Sequence, residues 1–287
     1  MRKPLLLLAG LLLPFAPAMA QPAARSGAQA RAQPGTPPAA PKLQLTAEHR
    51  AQLQQAVDRG RMLAMVDRAG FLSRRDMLTR VPNATGAGIE GWIAQPEGNS
   101  MAVTYFVKEG DGFAAIYKAQ VLGGRVVSPQ VYAAGQRPKL TGAAARMAAA
   151  GEKAETIAEQ KPCNGPAFNN LVLPPQGEGP VLVYRMSPRM AQDRVPGGGY
   201  FRAAVAADGS VAETTELGGV CANLPLPAVA RGQRPRPLVV NAREALLPNE
   251  LHVFLSLWTQ RPVVVATGTE QVRLWGVTGT GIAELPQ

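Results

Sequence analysis

The spacing of apolar residues changes period three times along the chain. Between Thr46 and Leu78 it is helical and comes in three pieces. The first runs from Thr46 through Leu53, Ala56 and Val57 to a break near Gly60; Met62–Val66 and Leu72–Leu78 follow. Thr46 suits an N-cap, and Glu48 suits the positive end of the helix dipole. After Pro82-Asn83-Ala84-Thr85-Gly86 the period becomes two. Ile89–Ala94, Ala102–Val107 and Phe113–Tyr117 alternate across Pro96-Glu97-Gly98-Asn99 and Glu109-Gly110-Asp111-Gly112. Alternating runs joined by short turns predict an antiparallel meander, extended by Val126-Val127. Thr141 then opens an Ala-rich helix over 142 to about 160, weakened by Gly151.

In the second half, Val181–Tyr184, Tyr200–Val205 and Val211–Glu216 read as strands, and 225–237 as a Pro- and Arg-rich connector. The most apolar stretch comes last: Leu251–Trp258, Val263–Thr267 and Arg273–Val277, read as three short strands in a row. Strands follow strands across short turns, with no pattern of parallel crossovers. The expected fold is therefore α+β, antiparallel β-meanders with a few flanking helices. It divides into an N-terminal α+β lobe at 43–160 and a mainly β lobe at 161–287, with one domain built from both as the alternative.

The N-terminus adds a destination. Arg2 and Lys3 precede an apolar run from Leu5 to about Phe15, and Ala18-Met19-Ala20 supplies the small residues read by a signal peptidase. Residues 1–20 are thus expected to be a cleaved signal peptide, with the mature chain periplasmic or secreted. Residues 21–42 are rich in Pro, Ala and Gln and lack aromatics, the composition of a disordered leader. No later run reaches the roughly twenty apolar residues of a transmembrane helix.

Loss of Arg2 and Lys3 lowers the formal charge from +10 to +8. In an exported protein this excess, scattered and not interleaved with aromatics, points to anionic envelope components or another periplasmic protein and away from nucleic acid. Arg231, Arg234 and Arg236 in the connector are the candidate anion-binding group. Cys163 and Cys221 are an even pair in an oxidising compartment, hence one expected disulfide. The chain-entropy model gives about 4 kcal/mol for the 58-position loop it closes.

Catalytic signals are sparse. Gly197-Gly198-Gly199-Tyr200 has no Lys-Ser/Thr after it and leads into a strand, not a helix, and Gly276–Gly281 lacks the helix a dinucleotide fingerprint needs. There is no Gly-x-Ser-x-Gly elbow and no His-Glu-x-x-His, so no metal or cofactor is expected. His49 falls in a polar first turn and reads as a surface histidine. If 250–258 is a strand, Leu251, Val253, Leu255 and Leu257 share the core face, opposite Glu250, His252, Phe254, Ser256 and Trp258. Glu250 and His252 then stand about 7 Å apart, close enough for a carboxylate to orient an imidazole. His252 and Ser256 stand about 13 Å apart, too far to form a base and nucleophile. A helix capped by Asn249 would instead make them neighbours one turn apart.

Several of these patterns together resemble a family of exported proteobacterial proteins without an assigned activity. They are Gly198-Gly199-Tyr200-Phe201-Arg202, Ala207-Asp208-Gly209, Cys221, Glu250-x-His252-Val253-Phe254-x-Ser256-Leu257, Pro262–Thr267 and Leu274-Trp275-x-Val277. The resemblance covers most of the chain beyond residue 60 and implies no catalytic residue. The sequence favours a non-catalytic envelope or partner-binding module. The alternative is a periplasmic hydrolase using Glu250 and His252 with a distant nucleophile or a metal.

Overall fold

The computed structural model describes residues 44–286. The expected signal peptide and leader lie outside these residues.

The three helical pieces are one helix, α1 (Ala47–Arg80), 34 residues long. No break occurs at Gly60. A Cβ there would stand 2.5 Å from Val253 Cβ and 2.7 Å from the Glu250 carbonyl oxygen. The missing side chain lets a second helix cross at that point, so this glycine marks a contact and not a turn. Beyond α1, β1 (Ile89–Glu97), β2 (Ser100–Glu109), β3 (Gly112–Leu122) and β4 (Arg125–Val131) form the expected meander in order 1-2-3-4. Alternation gives its two faces different partners. Toward α1, Tyr105 donates its hydroxyl to the Gly70 carbonyl at 3.2 Å and Tyr117 donates to Asp76 at 2.6 Å. From the other face Ile93, Phe106 and Phe113 join Met147 and Ala148 of α2 (Gly142–Glu155) in a separate apolar cluster. That helix stops at Glu155, short of the expected end.

A second antiparallel sheet runs β5-β6-β8-β9, from β5 (Asn169–Leu173), β6 (Val181–Met186), β8 (Phe201–Val205) and β9 (Val211–Glu216). A two-stranded ribbon pairs β7 (Arg194–Pro196) with β10 (Asn223–Pro225). The Cys163–Cys221 disulfide is present, with Cα atoms 5.2 Å apart.

The final apolar stretch departs from expectation. Residues 250–258 form no strand; they lie in α3 (Glu250–Thr259), capped by Asn249 and ended by Gln260 at φ +55°. A helix apolar around its circumference can exist only where every side is covered, and residues 250–256 are all buried. Such a run contains the i, i+2 alternation of a strand and the i, i+4 pattern of a helix together, so periodicity cannot choose between them. The expected Leu251–Leu257 core face fails at its end: Leu251, Val253 and Leu255 are at most 1% exposed, but Leu257 is 37% exposed.

The helix also changes the topology. It links β11 (Leu238–Ala242) to β12 (Val263–Thr267), which pair in parallel, so one strand-helix-strand unit sits where no crossover was expected. β13 (Arg273–Thr278) and β14 (Gly281–Glu284) complete this sheet antiparallel. Trp275 is fully buried and satisfies its indole N–H on Thr267 Oγ1 at 2.8 Å. The main hydrophobic cluster draws on residues from Leu53 to Val277, on both sides of residue 160. The class is α+β as expected, mostly antiparallel, with one disulfide.

Candidate functional site

The candidate residues Glu250 and His252 lie in the first turn of α3, where four backbone N–H groups lack helical partners. Asn249 Oδ1 accepts from the Leu251 N–H at 3.1 Å, and its amide donates to the Leu217 carbonyl at 3.0 Å. His252 Nδ1 accepts the Asn249 backbone N–H at 3.0 Å. The imidazole is 1% exposed. Burial lowers its pKa to about 4 against the opposing pull of Glu250. With Nδ1 accepting an N–H, the ring is neutral and carries its proton on Nε2.

His49 does the same at the start of α1: Thr46 Oγ1 accepts the His49 N–H at 3.1 Å, and His49 Nδ1 faces the Thr46 N–H at 3.4 Å. Both histidines of the chain therefore close a capping box at the third helical position, where Glu or Gln is usual. The shared spacing, Thr46 to His49 and Asn249 to His252, was present in the sequence.

Glu250 is 4% exposed. Its Oε1 accepts from Tyr184 at 2.9 Å and from Arg202 at 2.7 Å, with Arg59 Nη1 at 3.9 Å. Arg202 reaches onward to Thr215 Oγ1 at 3.0 Å and Glu213 at 3.3 Å. Burial disfavours the Arg202 charge, but the Glu250 carboxylate prevails and raises its pKa. Burial, with the adjacent Glu250 charge, pushes the Tyr184 phenol well above its ordinary range. Thus one carboxylate joins α1, β6, β8 and α3.

Tyr184, Arg202 and Arg59 were not among the sequence candidates. A signal existed: an arginine inside the apolar strand Phe201-Arg202-Ala203-Ala204-Val205 requires a buried acid. Its register partner across the sheet is Tyr184.

Helical spacing does place His252 and Ser256 one turn apart, contrary to the strand reading. Even so, the Ser256 hydroxyl donates to the Arg261 carbonyl at 2.7 Å. Arg231, Arg234 and Arg236 are exposed, and their guanidinium groups form no ion pair among the described residues. The glycines at 197–199 form no phosphate cradle. A Cβ on Gly198 would stand 2.0 Å from the Gly219 carbonyl oxygen, and one on Gly199 2.6 Å from the Cys163 nitrogen. The glycine segment threads between the two strands of chain tied by the disulfide. Ser187 locks it there, accepting from the Cys163 N–H at 2.8 Å and donating to the Gly199 carbonyl at 2.9 Å.

Among the described residues no group of three His, Cys, Asp or Glu could hold a metal ion, and no helix is long and apolar enough to cross a membrane. A groove of about 770 Å³ runs between α1 and the β5–β6 connection. Gln54, Asp58 and Arg59 line one side, and Pro174, Pro180 and Leu182 the other. Arg59 thus separates this groove from Glu250.

No family model matches the chain, and no curated protein or solved structure is similar to it at a significant level.

Proposed function

We propose that the protein is an exported, non-catalytic module of the cell envelope that works by binding an anionic component or another protein. The observation that carries this reading is the engagement of Glu250 and His252, the two sequence candidates for acid-base chemistry, in holding α3 in place. Glu250 is the shared acceptor of Tyr184 and Arg202, and His252 caps the helix as a buried neutral ring. Export is supported by Arg2, Lys3, the apolar run that follows and Ala18-Met19-Ala20. The disulfide suits an oxidising compartment.

The test has two arms. N-terminal sequencing of the protein from an osmotic-shock fraction should begin at Gln21; recovery only from the cytoplasm would overturn the location. Panels of ester, amide, glycoside and phosphoester substrates should show no turnover. A turnover abolished in both Glu250→Gln and His252→Gln, with folding retained, would replace the binding reading with the hydrolase.

A further inference from the structure

Helix α1 extends past the helix that covers it. Gly60 is where it meets Val253 of α3. Phe71 and Leu78 stand 11 and 18 residues further on, and at 3.6 residues per turn both fall within about 20° of that same face. There the cover is gone: Phe71 is 78% exposed and Leu78 45%. The bare part of the face runs from Phe71 to Leu78, about 10 Å at 1.5 Å per residue.

Its flanks are basic. Helical geometry puts Arg74 about 60° to one side of Phe71, and Arg75 and Arg68 about 40° and 60° to the other. All three are exposed, and none forms an ion pair among the described residues. Arg68 lies over the β3–β4 turn, adding exposed Arg125 and Leu122, the latter 41% exposed. Of the two acids in this half of α1, Asp67 lies on this face and Asp76 on the opposite side, toward the sheet. Asp76 is held by Arg80 and Tyr117, and half-buried Asp67 has its pKa raised to about 6 by burial.

We propose that the C-terminal half of α1 docks on an anionic lipid surface, with Phe71 and Leu78 entering the headgroup boundary and Arg68, Arg74 and Arg75 meeting lipid phosphates. This rests on the envelope reading above and names its ligand. An apolar stripe flanked by cations along a helix is the arrangement that lies flat at a membrane interface. Guanidinium groups match phosphate oxygens in geometry as well as charge. A helix face is convex, so its side chains can project into a soft surface.

Co-sedimentation of the purified chain with vesicles decides it. Phosphatidylglycerol–phosphatidylcholine vesicles should retain the protein and lose it as salt rises, whereas phosphatidylcholine alone should not retain it. Phe71→Ser should lower partitioning by about tenfold or more, and Arg74→Gln or Arg75→Gln by about fivefold each. Circular dichroism should be unchanged in all three, because these side chains are exposed. Equal binding to neutral vesicles, wild-type binding by Phe71→Ser, or binding to neither vesicle would overturn the proposal. A dimer in sedimentation velocity that Phe71→Ser abolishes would assign the face to a second copy and also overturn it. If vesicles fail but peptidoglycan retains the protein through Arg231, Arg234 and Arg236, the lipid face falls and the envelope reading stands; retention by neither overturns the lipid face and narrows the envelope reading to another protein as partner.

Discussion

Acidification should destabilise this protein through one histidine, with an aspartate hiding much of the effect. The His252 ring has a folded-state pKa of about 4 against 6.5 in the unfolded chain. Between those values the unfolded chain binds the proton and the folded protein does not. The stability associated with the neutral ring is complete above about pH 6.5 and is lost as pH falls to about 4. At 1.36 kcal/mol per pH unit the loss is about 3 kcal/mol.

Asp67 works in the opposite direction. Its pKa rises from 3.8 to about 6 on folding, so its contribution is present below pH 3.8 and fades as pH climbs to 6. Discounted for solvent reaching a half-buried side chain, this is about 2 kcal/mol. The two nearly cancel, and wild-type stability should vary little between pH 6 and 4 on their account.

The informative comparison is therefore with His252→Gln. Glutamine at the third helical position can still accept the Asn249 N–H, so the capping box survives while the titrating group goes. Urea midpoints at pH 7 and pH 4 should show the variant gaining about 3 kcal/mol on wild type over that span. Asp67→Asn should do the reverse and expose a steep acid loss. If His252→Gln runs parallel to wild type across the range, the neutral, buried ring is not what its surroundings say it is.

Other substitutions test the packing. A double-mutant cycle of Glu250→Gln and Arg202→Met, read by urea denaturation, should give a coupling energy of about 2 kcal/mol; additivity within about 0.5 kcal/mol would mean that the pair is not coupled. Gly60→Ala should cost about 2–3 kcal/mol, and Val253→Ala should relieve only part of it, because alanine keeps the Cβ that stands 2.5 Å away and the Glu250 carbonyl oxygen still blocks the new methyl. Replacing Cys163 and Cys221 together by alanine should cost about 2–4 kcal/mol, visible as a lower melting temperature; an unchanged melting point would remove the disulfide from the stability of the fold.

Local rules carried a good part of this fold. The β1–β4 meander, the Thr46 cap, the Ala-rich α2 and the strands at 181–186, 201–205 and 211–216 were legible because alternation and turn residues act over a few positions. Gly60 was misread because a glycine at a helix crossing and a glycine at a helix end look alike in one dimension. Residues 250–258 were misread for a related reason. A segment buried on every side carries no polar face to report its period, and burial on every side is itself a tertiary fact. The cap that would have decided it, Asn249 with His252 three residues on, was visible and outweighed by the strand rhythm of its neighbours.

The candidate site divides in the same way. Glu250 and His252 could be picked from the sequence, because an acid and a histidine two residues apart in an apolar run are rare enough to notice. Their roles could not be read there. Arg202 and Tyr184 are 48 and 66 residues from Glu250 and reach it only once β6 and β8 lie against α3. By itself the sequence determined the class of fold, the pairing of its cysteines and the expectation of export, all set by short-range patterns or by counting. Only the tertiary structure decided that the last apolar segment is a helix, that its acid is held by distant partners, and that Phe71 is left bare, because each depends on which surfaces are covered by chain far away in sequence.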